Sequence, residues 1–200
     1  MRGFYFITDA QLSRAGIFND VKSAIAAGVE VVQYRNKSLS TKMMFEQALI
    51  LRKLCRKITF LINDHVDLAL AVGADGVHLG QDDLSFKAAR ELLGKNKIIG
   101  LTVHSLSQAQ DAEKIGANYL GVSPIFGTKT KSDAGKPVGC ALIKSIKQKV
   151  SLPIIAIGGI NLSNAREVIS AGADGLAVIS AVITKPDVKN EIKKFQKLFS

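Results

Sequence analysis

The chain alternates between short runs of consecutive apolar residues and longer runs in which apolar positions recur at helical spacing. Eight of the short runs are predicted strands, at residues 4–8, 29–35, 59–63, 76–79, 98–103, 119–123, 153–158 and 175–180. Apolar residues on consecutive positions are what a strand carries when both its faces are covered, as in a parallel sheet. Between the strands, residues 41–57, 85–93, 107–115, 141–149, 163–171 and 188–199 read as amphipathic helices. Such an alternation implies parallel βαβ units.

A four-fold echo sharpens the topology. Ala27-Gly28-Val29-Glu30, Val72-Gly73-Ala74-Asp75, Ile115-Gly116-Ala117-Asn118 and Ala171-Gly172-Ala173-Asp174 each end a helix and open a strand. Glycine suits the left-handed residue just past a helix end. Each period holds two strand–helix units, so the echoes stand before strands two, four, six and eight. Eight regularly spaced strands predict the α/β class and a single (β/α)8 TIM barrel, with residues 1–200 as one domain. The third spacing is longer than the others. Its extra length falls in residues 126–139, a segment rich in Gly, Thr and Lys that is the expected mobile active-site loop.

Composition narrows the function class. A hydrophobic fraction of 47% is ordinary for a globular protein, and no apolar stretch is long enough to span a bilayer. The first residues read as a strand and not as a secretion signal. Cys55 and Cys140 are isolated, without metal-ligand spacing, and read as reduced thiols of a cytoplasmic protein. The net charge of +10 suits nucleic acid, a membrane surface or anionic small molecules. The lysines are spread, however, with Lys144, Lys147 and Lys149 on one predicted helix and Lys189, Lys193, Lys194 and Lys197 on another. These read as solvated faces. With three tyrosines, no tryptophan and no arginine-rich run, nucleic-acid binding is not expected. Phosphorylated small molecules are the partners that remain.

In a barrel of this kind the active site lies at the C-terminal strand ends. The second strand ends in Gln33-Tyr34-Arg35-Asn36-Lys37, and alternation aims Gln33, Arg35 and Lys37 one way. Two cations and an amide on one side suit a multiply charged oxyanion. The third strand ends in Asn63-Asp64, and the fourth leads through His78-Leu79-Gly80-Gln81-Asp82 to Asp83. Acids in successive strand-end loops beside those cations suggest a shared Mg²⁺, which takes one or two carboxylates and fills its shell with water and phosphate oxygens. Each acid alone reads equally well as a helix N-cap, for residues 65–71 or for the helix near Ser85. Thr102 offers a hydroxyl to a phosphate oxygen. His104 is either a proton-transfer group or a hydrogen-bonded rim histidine. His65 and His78 show no partner spacing and read as structural. Thr128, Lys129, Thr130 and Lys131 place two hydroxyls and two amines in four residues. After the seventh strand, Gly158-Gly159 removes side chains that would block the approach of a phosphate, and Ile179-Ser180 ends the eighth. These features alone define only a phosphate-binding barrel.

Taken in order, the motifs resemble the thiamin-phosphate synthase (thiamin-phosphate pyrophosphorylase) family, from Ile7-Thr8-Asp9 to Ile179-Ser180. The specific elements are Gln33-x-Arg35-x-Lys37, Asn63-Asp64, the segment from His78 to Asp83, Thr128-x-Thr130-Lys131 and Ile157-Gly158-Gly159-Ile160. The resemblance implies a transferase that joins hydroxymethylpyrimidine diphosphate to a thiazole phosphate, releasing pyrophosphate. By that likeness Gln33, Tyr34, Arg35, Asn36, Lys37, Asn63, Thr102 and Lys131 hold the pyrimidine diphosphate. Thr128, Lys129, Thr130, Gly159, Ile179 and Ser180 hold the thiazole phosphate, and Asp64 and Asp83 bind Mg²⁺. Arg35, Lys37, Thr102 and Lys131 are the implied catalytic residues, stabilising the departing diphosphate while the thiazole nitrogen captures a pyrimidine cation. Relatives are often dimers, which makes a homodimer the expectation. Thr102 stands where many relatives carry Ser, and Gly127 where Pro is common. Two other readings are a thiazole tautomerase, in which His104 moves protons, and a non-catalytic phosphate-ligand binding barrel. The paired acids favour the synthase.

Overall fold

The computed structural model describes residues 1–128, 130 and 135–199. Among these, strands β1 (Gly3–Ile7), β2 (Val31–Tyr34), β3 (Thr59–Asn63), β4 (Gly76–Leu79), β5 (Ile98–Val103), β6 (Tyr119–Val122), β7 (Ile154–Ile157) and β8 (Gly175–Ala177) form a closed parallel barrel in chain order. Closure runs through β1 and β8, where Phe4 pairs with Leu176. Helices α1 (Ile17–Ala27), α2 (Thr41–Leu54), α3 (Val66–Val72), α4 (Phe86–Leu93), α5 (Leu106–Lys114), α6 (Gly139–Lys147) and α7 (Ala165–Ser170) alternate with the strands. A short α8 (Ser180–Ile183) precedes the last helix, α9 (Val188–Gln196). The expected (β/α)8 barrel is therefore the fold.

The four echoed glycines all have positive φ, between 64° at Gly73 and 110° at Gly172, and each stands just before an even-numbered strand. At three of the four, the polar residue that follows has a function the pattern did not disclose. Asp75 Oδ2 accepts the Phe60 N–H at 2.8 Å, and the same carboxylate takes both Nη atoms of Arg52. Asn118 Oδ1 accepts the Ile99 N–H at 2.8 Å and Arg90 Nη2 at 3.1 Å. Asp174 Oδ2 accepts the Ile154 N–H at 2.9 Å, with Lys147 Nζ also at 2.9 Å. Each device satisfies a backbone donor in the first two residues of an odd strand and ties a helix to it. These contacts, two of them ion pairs, sit at the N-terminal end of the barrel, where residues serve stability and not chemistry.

Several boundaries differ from expectation, and three of the differences have a clear local cause. The second strand is shorter, because Val29 and Glu30 complete the turn after Gly28 before ladder pairing begins at Val31. Helix α2 stops at Leu54, where Cys55 and Ile58 close a turn. The eighth strand ends at Ala177, its last ladder partner being Ile157, and Ile179 carbonyl bonds then start α8. Apolar Ala181, Val182 and Ile183 serve a helix there as readily as a strand. Helix α1 lies outside the six helical runs named from the pattern; Ile17, Val21 and Ala24 form its buried stripe.

Candidate active site

In the barrel interior, alternate residues of each strand face inward. Most barrels fill this space with branched apolar side chains. Here Tyr5, Gln33, Asn63, His78, Thr102 and Tyr119 face a pocket whose space, open mouth included, is about 790 Å³. Apolar Ile7, Ile155 and Ile157 line it from the β1 and β7 side. The polar groups pair with one another, as a sparsely solvated interior requires. Gln33 Nε2 donates to the Tyr5 hydroxyl at 2.9 Å, and the Tyr5 and Tyr119 hydroxyls lie 2.8 Å apart. The His78 ring bridges Tyr119 through Nδ1 at 2.9 Å and Thr102 through Nε2 at 2.8 Å. Burial raises the pKa of both Tyr5 and Tyr119, so each stays a neutral phenol.

Two glycines make room for these rings. A Cβ on Gly100 would fall 2.0 Å from Tyr119 Cζ, and one on Gly121 would fall 2.7 Å from His78 Cε1. His78, read from the sequence as structural, lines the pocket and bridges two of its polar groups. The missed signal was the strand period, which turns Tyr5, His78 and Tyr119 inward opposite small residues.

At the β1–β2 rim, Arg35 is fixed by its own main chain and by a buried partner. Its N–H donates to Thr8 Oγ1 at 2.9 Å, and the Thr8 hydroxyl donates to its carbonyl at 3.1 Å. Its Nη1 lies 3.3 Å from Asp9 Oδ2, with side-chain exposures of 10% and 8%. Asp9 Oδ1 accepts the N–H groups of Gln11 and Leu12, which fixes the acid as well. The buried Arg35 Nε–H meets no acceptor among the described residues. Arg35 and Gln33 line the pocket as alternation predicts, whereas exposed Lys37 is not among its lining residues.

The side chains of Tyr34 and Asn36, expected to hold a diphosphate, are engaged with other groups and are not among the pocket's lining residues. Tyr34 points the opposite way from Gln33, as a strand neighbour must, and its hydroxyl donates to Gln47 Oε1 of α2 at 2.9 Å. Asn36 Oδ1 accepts from Ser38 N and Leu39 N, an Asx turn that shapes the loop after β2.

Asp64 and Asp83 stand at the ends of adjacent strands. The Asp64 N–H donates to His78 C=O at 2.9 Å, and two residues beyond His78 the Gly80 N–H donates to Asp83 Oδ2 at 2.6 Å. Neither acid is the helix cap considered above. The N-cap positions of α3 and α4 are His65 and Ser85, and the Ser85 hydroxyl accepts the Ala88 N–H. Asp64 is the one non-glycine with positive φ (64°) among the described residues. Aspartate tolerates that conformation better than most residues, and strained backbone persists where a site needs it.

Thr128, Thr130, Gly159, Ile179 and Ser180 converge on the same pocket. Gly158 and Gly159 have φ of 102° and 65°. Their lack of a Cβ also has a packing cause. A Cβ would lie 2.6 Å from Pro124 Cβ at Gly158 and 2.6 Å from Gly127 O at Gly159. The β7 loop thus packs directly on the segment after β6. Lys129 and Lys131, with residues 132–134 of the expected mobile loop, lie outside the described residues.

Exposed His104 turns away from the pocket, its Nδ1 hydrogen-bonded to the Ser123 carbonyl at 2.6 Å. Cys55 and Cys140 are free and buried, which pushes their thiols up to about 12 and about 11, so neither is a ready nucleophile. Among the described residues, no group of three or more acids, histidines or cysteines could hold a metal, and no helix is long and apolar enough to cross a membrane.

A closed barrel with a polar pocket at the C-terminal ends of its strands is the architecture of the (β/α)8 enzymes. Comparison with known proteins narrows that class. The family model described as thiamine monophosphate synthase matches residues 4–182. A thiamine-phosphate synthase of Chloroflexus aurantiacus is 51% identical over 199 residues, covering 98% of this chain and 92% of its own. One of Methanosarcina mazei is 50% identical over 193 residues, covering 96% and 80%. The solved thiamine phosphate pyrophosphorylase of Pyrococcus furiosus superposes with a TM-score of 0.90 at 41% identity, covering 98% of this chain and 94% of that one. The chain belongs to the thiamine monophosphate synthase family, a family of transferases.

Proposed function

We propose that this protein condenses hydroxymethylpyrimidine diphosphate with a thiazole phosphate to give thiamin phosphate and pyrophosphate, with Mg²⁺ required. The observation that carries the reading is Arg35, a buried guanidinium on the pocket wall whose Nε–H has no acceptor among the described residues. A buried donor of that kind needs an acceptor, and the guanidinium's charge favours an anionic one such as a diphosphate oxygen.

The residues present fit Mg²⁺. Two carboxylates at neighbouring strand ends, with no metal-holding group of three acids, histidines or cysteines among the described residues, suit an ion that keeps most of its shell for water and phosphate oxygens. Asp64 and Asp83 would hold it, and its charge would neutralise the departing diphosphate.

In this reading Gln33, Asn63 and Thr102 seat the pyrimidine diphosphate, and Arg35 draws on its negative charge. The bond between the pyrimidine methylene carbon and the diphosphate oxygen breaks, and the electron pair leaves with pyrophosphate. Arg35, with Lys37 and Lys131, stabilises that growing charge. The thiazole nitrogen then gives its lone pair to the carbon, forming the carbon–nitrogen bond. Thr128, Lys129, Thr130, Gly159, Ile179 and Ser180 hold the thiazole phosphate for that attack. Ile7, Ile155 and Ile157 keep water from trapping the cation. The test is incubation of the purified chain with both precursors and Mg²⁺, scored by chromatography. Equal amounts of thiamin phosphate and pyrophosphate are expected, and the absence of both would overturn the reading.

A further inference from the structure

An unbroken line of hydrogen bonds crosses the barrel from Gln33 on β2 through Tyr5, Tyr119 and His78 to Thr102 on β5, every link between 2.8 and 2.9 Å. Each phenol and the threonine hydroxyl carries one polar proton, and the His78 ring bonds one hydroxyl through each nitrogen. A hydroxyl can accept twice, but Tyr5 and Tyr119 are buried and a proton left there without an acceptor is costly, so the favoured order is the one that gives every proton a partner. Gln33 Nε2 donates to Tyr5. Tyr5 then donates to Tyr119, Tyr119 to His78 Nδ1, and His78 Nε2–H to Thr102 Oγ1. Two atoms are left for the pocket: the carbonyl Oε1 of Gln33 and the hydroxyl proton of Thr102.

We propose that this line is a polarised relay, in which Tyr5, Tyr119 and His78 are positioning residues that hold Gln33 as an acceptor and Thr102 as a donor toward the substrate. The proposal deepens the synthase reading and rests on it. An aminopyrimidine diphosphate offers the complement, an exocyclic amine that donates and ring nitrogens and phosphate oxygens that accept. An oxopyrimidine, with a carbonyl where the amine stands, meets Gln33 Oε1 with a second acceptor. To bind it well the amide must flip, and every proton in the line must reverse.

Three observations beyond the distances support a built device. Tyr5, Gln33 and Tyr119 are almost fully buried, so an unmade link has no water to replace it. Strands β5 and β6 carry glycine at the two positions where a Cβ would strike the Tyr119 and His78 rings. The Tyr119 and His78 rings also stack, with centroids 5.5 Å apart and planes at 26°, which holds the middle of the line in register.

Two measurements test the relay. The first uses the intact wild-type chain labelled with ¹⁵N-histidine. Long-range ¹⁵N–¹H correlation reports which ring nitrogen carries the proton, and His65→Gln and His104→Gln chains assign the signals. His78 is expected as the neutral Nε2–H tautomer; the Nδ1–H tautomer or a doubly protonated ring overturns the proposal. The second compares kcat/KM for the aminopyrimidine diphosphate and its oxo analogue. A wild-type preference of about 100-fold is expected, because a site built for one hydrogen-bond pattern rejects its reverse strongly. Tyr119→Phe, which removes the central hydroxyl, is expected to cut that preference about tenfold or more while the KM for thiazole phosphate stays unchanged. A wild type without preference, or an equal loss on both pyrimidines in Tyr119→Phe, overturns the relay. Should Tyr119→Phe fail to fold, the tautomer measurement decides alone. Should the wild type make no thiamin phosphate, the synthase reading falls, and the tautomer still reports on the relay.

Discussion

Asp9 and Arg35 form an ion pair of 3.3 Å at the mouth of the barrel, with both side chains about nine-tenths buried. The pair joins the end of β1 to the residue after β2, beside the Thr8 hydroxyl that grips the Arg35 main chain from both sides. Asp9 gives the guanidinium a fixed direction, and the Arg35 Nε–H has no acceptor among the described residues. Removing one member of a buried pair strands the other charge. Asp9→Ala is therefore expected to cost about 3–5 kcal/mol in denaturant unfolding. Asp9→Asn keeps the shape, and its expected signature is kinetic. The kcat/KM for the pyrimidine diphosphate should fall about tenfold or more, with the KM for thiazole phosphate little changed. Arg35→Ala should lose far more activity than Lys193→Ala, whose charge is exposed and screened. Equal losses at positions 35 and 193 would remove Arg35 from the diphosphate site.

Substitution of the paired acids separates backbone from charge. Asp64 holds a φ of 64°, which Asn tolerates and Ala does not. Asp64→Asn should melt within about 1 kcal/mol of wild type yet lose turnover about 100-fold. Asp64→Ala should add a backbone cost of roughly 1 kcal/mol to the same catalytic loss. Asp83→Asn keeps an acceptor for the Gly80 N–H, so the loop should stand while the rate falls comparably. Chelation of Mg²⁺ should stop the wild type and leave its melting curve nearly unchanged. Near-normal rates in both Asn variants, or full activity in chelator, would remove the metal role.

The pH dependence of stability has a marked contributor away from the site. Asp20, in the first turn of α1, is 2% exposed. Burial raises its pKa above the ordinary 3.8, and the nearby Ser13 acts the other way. Neither Asp20 Oδ1 nor Ser13 Oγ makes a hydrogen bond among the described residues, so burial dominates. The folded state then binds this proton more tightly than the unfolded state. Stability is highest below pH 3.8 for this group and falls as pH rises through its folded pKa. Asp20→Asn should thus raise the melting temperature at neutral pH by roughly 2–4 °C, as about 1 kcal/mol does in a chain of this size. The gain should vanish near pH 3; the same gain at both pH values would mean that the charge is not its cause.

The barrel was legible because its signals are periodic. Consecutive apolar strands, and glycines placed just before every second strand, leave few topologies, and Gly28, Gly73, Gly116 and Gly172 adopt the left-handed conformation their positions imply. The rim residues were legible for the same reason, since alternation carries Gln33 and Arg35 into one pocket. Tyr34 and Asn36 were not separable from them by motif alone. Tyr34 instead obeys the strand period and reaches α2, and Asn36 spends its side chain on a turn. The relay was hidden because its members come from β1, β2, β4, β5 and β6. No spacing along the chain joins Tyr5 to Tyr119, and the glycines that seat those rings look like ordinary strand defects until the strands are set side by side. Asp9 escaped notice because its value lies in the partner it holds across the barrel mouth.

His104 offers the sharpest contrast between a synthase and a proton-transferring relative. It follows β5 directly, as a catalytic histidine at a barrel rim would. Its Nδ1 is nevertheless tied to the Ser123 carbonyl at 2.6 Å, a bond that requires the proton on Nδ1, and its N–H donates to Gln108 Oε1 at 2.7 Å. Both contacts brace the loops after β5 and β6, and the ring is not among the lining residues of the pocket. His104→Ala is therefore expected to cost about 1 kcal/mol of stability, the worth of one hydrogen bond, and to leave kcat within about threefold of wild type. A folded His104→Ala protein whose turnover collapses would transfer the chemistry to the imidazole and favour a tautomerase. Retained turnover would leave diphosphate departure, assisted from the Arg35 side of the barrel, as the step the site is built to promote.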